Sequence, residues 1–396
     1  MRKINSKEIN SKIINRFIRL ISTSDFQTTI KKAALCCITI FIFITLMITV
    51  GGCATMQTKG TKDSIDNLSF SHDGKKVIFD RCRDGCQIQV YDLETGDLSA
   101  YQSPSNERWT MGRQSHDGKK IVFSVMPVID GHVDLSEMQI AVMDADGKNF
   151  KKITTGPGAK LYPTFSHSGR KVLYVRAAYM RKSGKTPAAK YDAWEVDLTT
   201  GSQTQLTFFK YFQMDYLAYL PDNERFIYYG ILPEAFPGLD LPKGEPRKAQ
   251  EMIRQEQMKR NIGIAGILVM KRGEDLPQRH YNFGKGFNAE RPLLSRDGSK
   301  LIFEKAASAG QFYLYSEDGN HKHIGGGGTI YSAAISPDGM YYGFVAAGVG
   351  MHIYGVSDGS HKERIYVPTP RSEGFDYDRL PKYKLLSEKP LKIINK

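Results

Sequence analysis

A short phrase recurs six times along this chain of 396 residues. Each copy joins an apolar run, a turn of the Ser-x-Asp-Gly type, usually one or two basic residues, and a β-branched or aromatic run. Examples are LSFSHDGKKVIFD from Leu68 and PTFSHSGRKVLYV from Pro163. The other copies begin at Arg113, Leu217, Leu293 and Ala333. Such repetition predicts stacked or radial units, because one unit buries its apolar faces only against its neighbours.

Each unit is predicted to be a four-stranded antiparallel meander. Asp-Gly between two alternating runs is a strong hairpin signal. Further alternating runs follow, such as QIQVYDLETGD from Gln87 and KKITT from Lys151. Between the turn glycines, or Asn223 in unit four, the intervals are 44, 51, 54, 75 and 41 residues. Four strands in about 40 to 50 residues are typical of a β-propeller blade. We therefore expect an all-β fold, a six-bladed β-propeller over residues 67–367.

The phrases FSHDGKKVIF, ISPDGMYYGF and AVMDADGKNFKKIT resemble the repeats of TolB-like propellers, also called PD40 or WD40-like repeats. The resemblance implies the propeller fold. It does not imply one activity, because periplasmic scaffold proteins, polysaccharide lyases and the propellers of serine peptidases share such repeats. About 13 residues separate Cys53 from the first blade. We therefore expect no counterpart of the N-terminal α/β domain of TolB.

The N-terminal region predicts export and lipidation. An apolar run from Ala33 to Val50 follows Lys31 and Lys32 and ends in Val-Gly-Gly-Cys53. This ending resembles a bacterial lipobox, in which the leader is cut before a cysteine that is then lipidated. The alternative is an uncleaved membrane helix. The predicted domains are a signal peptide at 1–52, a lipidated linker at 53–66, the propeller, and a C-terminal tail at 368–396.

The charge of the chain does not favour nucleic-acid binding. The net charge is +13. Residues 1–52 hold eight bases and two acids, which leaves +7 on the remainder. Much of this excess follows the repeated turns, as expected of solvated strand edges. We expect a monomer in the cell envelope, held at the periplasmic face of the outer membrane in a Gram-negative host because Ala54 follows Cys53. Its expected partner is an envelope protein or glycan.

The cysteines and the motifs that resemble catalytic sites are interpreted as structural parts of hairpins and turns. Cys82 and Cys86 flank an Asp-Gly tip and are predicted to form a disulfide in an oxidising compartment. A metal site formed by the two thiols is the alternative, although the sequence offers no obvious further ligands. The G-x-S-x-G match from Gly355 to Gly359 falls in a predicted hairpin, so no catalytic residue is assigned. Three histidines at one repeat position are interpreted as turn residues: His72, His116 and His167.

Three insertions in successive units are expected to share one face of the ring. They span Met126 to Glu137, Ala177 to Lys190 and Ile231 to Asn261. The last contains RKAQEMIRQEQMKRN, which predicts one short helix inserted in blade four. The second carries bases that could bind an anionic ligand, although a solvated loop is the alternative: Arg181, Lys182, Lys185 and Lys190.

Alignment of the units also identifies a candidate site at the mouth of the central channel. Eight residues before the turn residue stand Asp66, Asp215, Glu290 and Tyr331. The three acids could hold Ca²⁺, another divalent cation or a basic peptide, whereas ordinary solvated rim charge is the alternative. No cofactor is otherwise expected. The Asp-Gly turns lie on the opposite face, which we interpret as the inactive one.

These observations favour a lipid-anchored scaffold that binds protein or glycan, and not an enzyme. The alternative is a metal-dependent polysaccharide lyase or hydrolase that uses the channel mouth. A lyase of this repeat class would need metal ligands clustered on the rim, and the sequence shows no such cluster.

Overall fold

The computed structural model separates the chain into two compact units, Met1–Gln57 and Thr58–Lys396. The described residues all belong to the second unit: 63–82, 85–177, 190–211, 213–231, 252, 255, 265–274, 277, 289–305, 310–316, 319–326, 328–346, 350–366, 384–386 and 390–395. The predicted signal peptide and the lipidation candidate Cys53 therefore lie outside the described residues. Among those described, no helix has both the length and the apolar character that a membrane crossing needs.

The first three blades are antiparallel sheets of consecutive strands. Blade one contains β1 Ser64–Phe70, β2 Lys76–Cys82, β3 Cys86–Asp92 and β4 Leu98–Ala100. Blade two contains β5 Glu107–Gln114, β6 Lys120–Ile129, β7 His132–Val133, a 3-10 turn at Leu135–Glu137, β8 Gln139–Asp144 and β9 Lys151–Lys152. Blade three contains β10 Ala159–Phe165, β11 Lys171–Ala177, β12 Tyr191–Asp197 and β13 Gln203–Gln205.

The last three blades repeat this plan. Blade four has three described strands, β14 Gln213–Tyr219, β15 Arg225–Ile231 and β16 Ala265–Lys271. Blade five contains β17 Ala289–Leu294, β18 Leu301–Lys305, β19 Gln311–Tyr315 and β20 His321–Gly326. Blade six contains β21 Ile330–Ile335, β22 Tyr341–Ala346, β23 Gly350–Gly355 and β24 His361–Tyr366. The predicted six-bladed, all-β architecture is confirmed.

The repeated turn is held by its own serine and aspartate. In blade one, Ser71 Oγ donates to Asp73 Oδ1 at 2.6 Å and accepts from the backbone N–H of Lys76 at 2.9 Å. Gly74 has φ of +72°, a conformation that glycine adopts without a Cβ clash. The same Ser-x-Asp contact recurs at Ser115, Ser295 and Ser336. The phrase recurs because it closes the inner hairpin of each blade.

The ring closes through its innermost strands and through apolar clusters at the blade boundaries. Each innermost strand contacts the next, and β21 returns to β1. One cluster joins blades six and one through side chains such as Phe70, Phe79 and Val345. Another joins blades two and three and includes Val122 and Val172, both fully buried. The core is therefore distributed between blades, as the repeat predicts.

The C-terminal tail straps blade six to blade one. Its first strand, β25 Lys384–Leu385, pairs in parallel with β24. Its second, β26 Leu391–Ile393, pairs in parallel with β4. Between them Leu386, 1% exposed, enters the apolar cluster shared by those blades. Asn395 Oδ1 accepts from the N–H of Gln102 at 2.7 Å. The tail thus covers the outer edges of both blades.

Of the three insertions, only the first is described in full. There β6 runs on to Ile129, a turn at Asp130 and Gly131 leads into β7, and Asp134 caps the 3-10 turn. The short helix predicted in blade four lies outside the described residues except for Met252 and Gln255.

Candidate binding site at the channel mouth

The innermost strands share an irregularity beside the predicted mouth residues. In five of them the pairing with the second strand shifts. A residue of positive φ stands at each shift: Asn67, Met111, Tyr162, Tyr216 and Arg291. Non-glycine residues rarely adopt this conformation. Its recurrence seven residues before each turn residue makes it part of the blade design, since a bulge redirects side chains. In β21 the pairing shifts as well, between Ile330 and Ser332.

Immediately before the bulge, the acids of the first strands meet further acids on the second strands. Asp66 pairs with Asp80, and Glu290 pairs with Glu304. Asp80 and Glu304 share one repeat position, six residues after the turn glycine, which the sequence analysis did not use. The mouth layer therefore contains more carboxylates than the three predicted.

Asp80 is the best-satisfied acid of this layer and is only 1% exposed. Its carboxylate accepts from Asn67 Nδ2 at 2.7 Å, from the N–H of Met111 at 3.1 Å, and from the hydroxyl of Thr110. Burial is the main reason that its pKa rises to about 7, and the charge of Asp66 adds to the rise. Asp80 thus links blades one and two through the bulge residues Asn67 and Met111.

Arg291 supplies positive charge within this layer. It forms an ion pair with Glu304, and Nη2 donates to the carbonyl oxygen of Ile330 at 3.2 Å. Its Cζ lies 6.0 Å from the ring centroid of Tyr216. Burial opposes its charge, but Tyr216, Glu304 and Glu290 together raise its pKa. Arg291 is therefore a fixed cation towards which acids from blades one, four and five converge.

Asp215 and Glu290 are less well compensated. Burial raises the pKa of Asp215 to about 6, and that of Glu290 to about 7 with further contributions from Glu304 and Asp215. Asp215 Oδ2 accepts from Gln213 Nε2 at 3.0 Å. Its Oδ1 is buried without a hydrogen-bond partner among the described residues. A buried acceptor left unpaired costs about 1–3 kcal/mol, so this mouth favours an incoming donor.

Asp66 joins the same electrostatic group, whereas Tyr331 packs elsewhere. Burial raises the pKa of Asp66 despite hydrogen bonds from Asn67 and Ser332 and the charge of Arg291. Tyr331 packs against the apolar cluster between blades six and one. The predicted set of four therefore divides into three acids around Arg291 and one packing residue.

The remaining predicted residues are only partly described. Cys82 and Cys86 are joined by a disulfide at the tip of the β2–β3 hairpin. Lys190 is exposed just before β12. Arg181, Lys182 and Lys185 lie outside the described residues. No three His, Cys, Asp or Glu side chains in the described ranges are grouped so that they could hold a metal ion.

The three insertions begin on the same face of the ring as the acids. Antiparallel pairing sets the start of each first strand beside the end of the second, as in Glu107 with Pro127 and Gln213 with Ile231. The insertions begin where these second strands end. The acids and the starts of the insertions therefore lie on one face, whereas Arg181, Lys182 and Lys185 lie outside the described residues.

No protein-family model and no curated protein matches the sequence. Solved structures do match. TolB from Acinetobacter baumannii aligns with a TM-score of 0.51 at 17% identity, covering 82% of this chain and 66% of that chain, just under two thirds. A TolB-like protein from Agrobacterium tumefaciens, described as putative TolB, gives 0.47 at 17% identity, covering 70% and 87%. An oligogalacturonate lyase from Vibrio parahaemolyticus gives 0.46 at 11% identity, covering 76% and 77%. At these identities the likeness to TolB shows the six-bladed propeller fold alone.

Proposed function

We propose that this protein is a lipid-anchored propeller of the cell envelope that binds a basic segment of another envelope protein at its acidic channel mouth. The observation that carries the proposal is the surplus of carboxylates around one guanidinium. Five carboxylates in the described part of the mouth share this layer with Arg291: Asp66, Asp80, Asp215, Glu290 and Glu304. A Lys or Arg side chain would offset this surplus and pair with Asp215 Oδ1.

The surroundings of the mouth suit a protein partner. The β6–β7 hairpin starts from the same face and exposes Ile129 and Val133 at 53% and 43%. Exposed apolar side chains on the same face as charged residues are typical of the mixed character of protein interfaces. The acids would give orientation and a fast association rate, and the hairpin would add apolar contact.

A defined peptide tests the site whichever protein is the natural partner. We expect a short Lys-rich peptide to bind the purified propeller and a matched Glu-rich peptide not to bind, as measured by calorimetry at low salt. The double variant Asp215→Asn, Glu290→Gln should weaken the Lys-rich peptide about tenfold or more, which corresponds to about 1.4 kcal/mol. Binding should also weaken as salt rises.

Asp146→Asn is the matched control, because Asp146 is an exposed acid on the β8–β9 turn, at the opposite face of the ring. It should leave the affinity for the peptide unchanged. Equal weakening by Asp146→Asn and by the double variant would mean that only diffuse surface charge attracts the peptide, and the proposal would be wrong.

The anchor rests on the lipobox-like Val50-Gly51-Gly52-Cys53 sequence. A metal-dependent lyase or hydrolase that uses the channel mouth stays the alternative. A glycan remains a separate occupant to test, with neutral and uronic-acid oligosaccharides titrated against the same variants.

A further inference from the structure

The channel also contains a cavity near the repeated turns, on the face that the sequence analysis interpreted as inactive. Its volume is about 160 Å³, and all six innermost strands or the turns that follow them contribute to its wall. The polar side chains that line it include Arg113, Gln114, His116, His167 and Arg296. The mouth acids lie towards the other ends of the same strands.

The unpaired guanidinium of Arg113 is the main feature of this cavity. Its side chain has no ion pair and no hydrogen bond among the described residues, and its electrostatic neighbours are the phenols of Tyr162 and Tyr216. Most buried or partly buried arginines are paired, because an enclosed and uncompensated cation is costly. A guanidinium presents a planar fork of donors that matches a carboxylate or phosphate. Arg113 therefore offers unused donors to the channel.

Further polar side chains surround the same cavity. Arg296 Nη2 donates to the carbonyl oxygen of His72 at 2.7 Å, but its Nε is buried without an acceptor. His116 Nδ1 is also buried without a partner in the described structure. Gln114 fixes the neighbouring turn by accepting from the N–H of His72 at 2.9 Å. Two arginines and one imidazole thus leave nitrogen atoms unpaired around one cavity.

The nearby aspartates are already committed to the turns. Asp73, Asp297 and Asp338 border a shallow cleft beside Arg296. Each accepts from the serine two residues earlier, at 2.6, 2.7 and 2.5 Å respectively. They also cap backbone N–H groups, for example that of Lys75 for Asp73. These acids are therefore engaged within the turns, and in the described part of the chain none of them forms an ion pair with Arg113 or Arg296.

We propose that this cavity binds a small oxyanion, a carboxylate or a phosphate group, with Arg113 as its principal partner and Arg296 as the second. The volume suits one such group and is below the range typical of drug-sized ligands. The site is distinct from the acidic mouth and takes a ligand of opposite charge. Its failure would leave the proposed function untouched.

Thermal unfolding and calorimetry of the propeller would test the site with sodium phosphate and sodium succinate, against sodium chloride at equal ionic strength. We expect at least one oxyanion to raise the melting temperature saturably, because a ligand that binds only the folded state stabilises it. The oxyanion that raises the melting temperature more shows whether the site prefers a phosphate or a carboxylate group. Absence of a saturable effect with both would overturn the proposal.

Variants assign the effect to Arg113. Arg113→Gln should weaken binding about tenfold or more, as expected for loss of a charge-assisted hydrogen bond, and Arg113→Lys should retain part of the affinity. The control is Arg170→Gln, an exposed arginine of the unit-three turn, which should bind as the unaltered protein does. Unchanged affinity in Arg113→Gln would overturn the proposal.

A measurement on the unaltered protein covers the case in which Arg113→Gln does not fold. The arginine Nε–H resonances of the propeller can be assigned through the Arg→Gln variants that do fold. On addition of phosphate or succinate, the resonances of the cavity arginines should shift and that of Arg170 should not. Equal shifts at Arg170 and at the cavity arginines would contradict a built site.

Discussion

The imidazole of His116 stacks on that of His167, with ring centroids 4.3 Å apart and an angle of 21° between the planes. The two occupy one repeat position in successive units, which the sequence analysis interpreted as separate turn residues. The circular arrangement of the blades corrects that interpretation, because residues at one repeat position of neighbouring blades converge on the channel axis. Burial, His167 and Arg296 lower the pKa of His116 to about 4, and Asp117 opposes the change.

We predict that the His116 stack makes the fold less stable in acid. The unfolded imidazole titrates near 6.5 and the folded one near 4. Between these pH values the unfolded state binds more protons, so stability falls as pH falls. His116→Gln should reduce this loss by roughly 1 kcal/mol after allowance for solvent screening. Urea unfolding at pH 7 and pH 4.5 measures it. The exposed His132→Gln is the control, and equal losses in all three proteins would contradict the prediction.

Glu290→Gln should stabilise the protein at pH 8. The folded pKa of Glu290 is about 7, above the ordinary 4.5, so the folded state favours the protonated carboxyl. Stability is therefore lost as pH rises from about 4.5, where the unfolded carboxyl ionises, through about 7, and a neutral amide avoids that loss by about 2 kcal/mol at pH 8. The advantage should disappear near pH 4, where both folded and unfolded carboxyls are protonated. Urea unfolding at pH 8 and at pH 4 measures the difference in stability between the variant and the unaltered protein. An equal difference at the two pH values would contradict the prediction.

An ion pair network between blades three and four should be a major stabilising contact. Glu195, 5% exposed, accepts from Tyr219 Oη at 2.6 Å and pairs with Lys171 at 3.0 Å and with Arg272. Glu195→Ala leaves these cations uncompensated and should cost about 3 kcal/mol.

The matched control for this network is Glu94→Ala, which breaks the exposed pair with Lys75. It should cost no more than about 0.5 kcal/mol. Denaturant midpoints with unchanged slopes would report both values. Similar costs for the two variants would mean that Glu195 contributes no more than a surface pair.

Gly147→Ala should loosen the C-terminal strap. A Cβ on Gly147 would collide with Asn395, and φ there is +84°. Gly131→Ala is the control for backbone strain, since its φ is +77° and nothing lies within 4 Å of the added Cβ. Both variants should lose about 1 kcal/mol from the left-handed conformation. Only Gly147→Ala should also make the tail sensitive to limited proteolysis. If the tail is cleaved no faster in Gly147→Ala than in Gly131→Ala, the contact between Gly147 and the strap is refuted.

Cys53→Ala should abolish lipid attachment. In a Gram-negative host that expresses the full chain, an alkyne-tagged fatty acid should label the unaltered protein and not the variant. The variant should retain its leader, because the leader is cut only before a lipidated cysteine. Labelling that persists in Cys53→Ala would show that the lipobox interpretation is wrong.

The sequence carried enough information for the fold, because hairpin signals are local and recur at a nearly constant interval. The repeat alignment alone assigned Asp66, Asp215 and Glu290 to one position of the innermost strands, and the structure places all three immediately before the bulge. The sequence analysis missed Arg291, although Arg291 directly follows Glu290, because no local pattern shows that its charge acts on Asp66 in another blade. Asp80 and Glu304 were within reach, since their shared repeat position is visible in the sequence.

Other features needed coordinates for a different reason. Tyr331 occupies the same repeat position as the acids, yet its ring gains more from the apolar boundary between blades six and one. The parallel strands of the tail are only two and three residues long, which is too short for a pattern of alternation to reveal them. In both cases the position of the residues depends on tertiary packing, which the local sequence pattern does not show.

The strap formed by β25 and β26 has a consequence for biosynthesis. Every blade is assembled from consecutive strands, so each hairpin can form soon after it emerges. The outer edge of β4, however, waits for a partner that is synthesised after all six blades. During that interval the first blade presents an open strand edge, the kind of surface that pairs with other chains. The last residues of the chain therefore protect the first blade from such pairing.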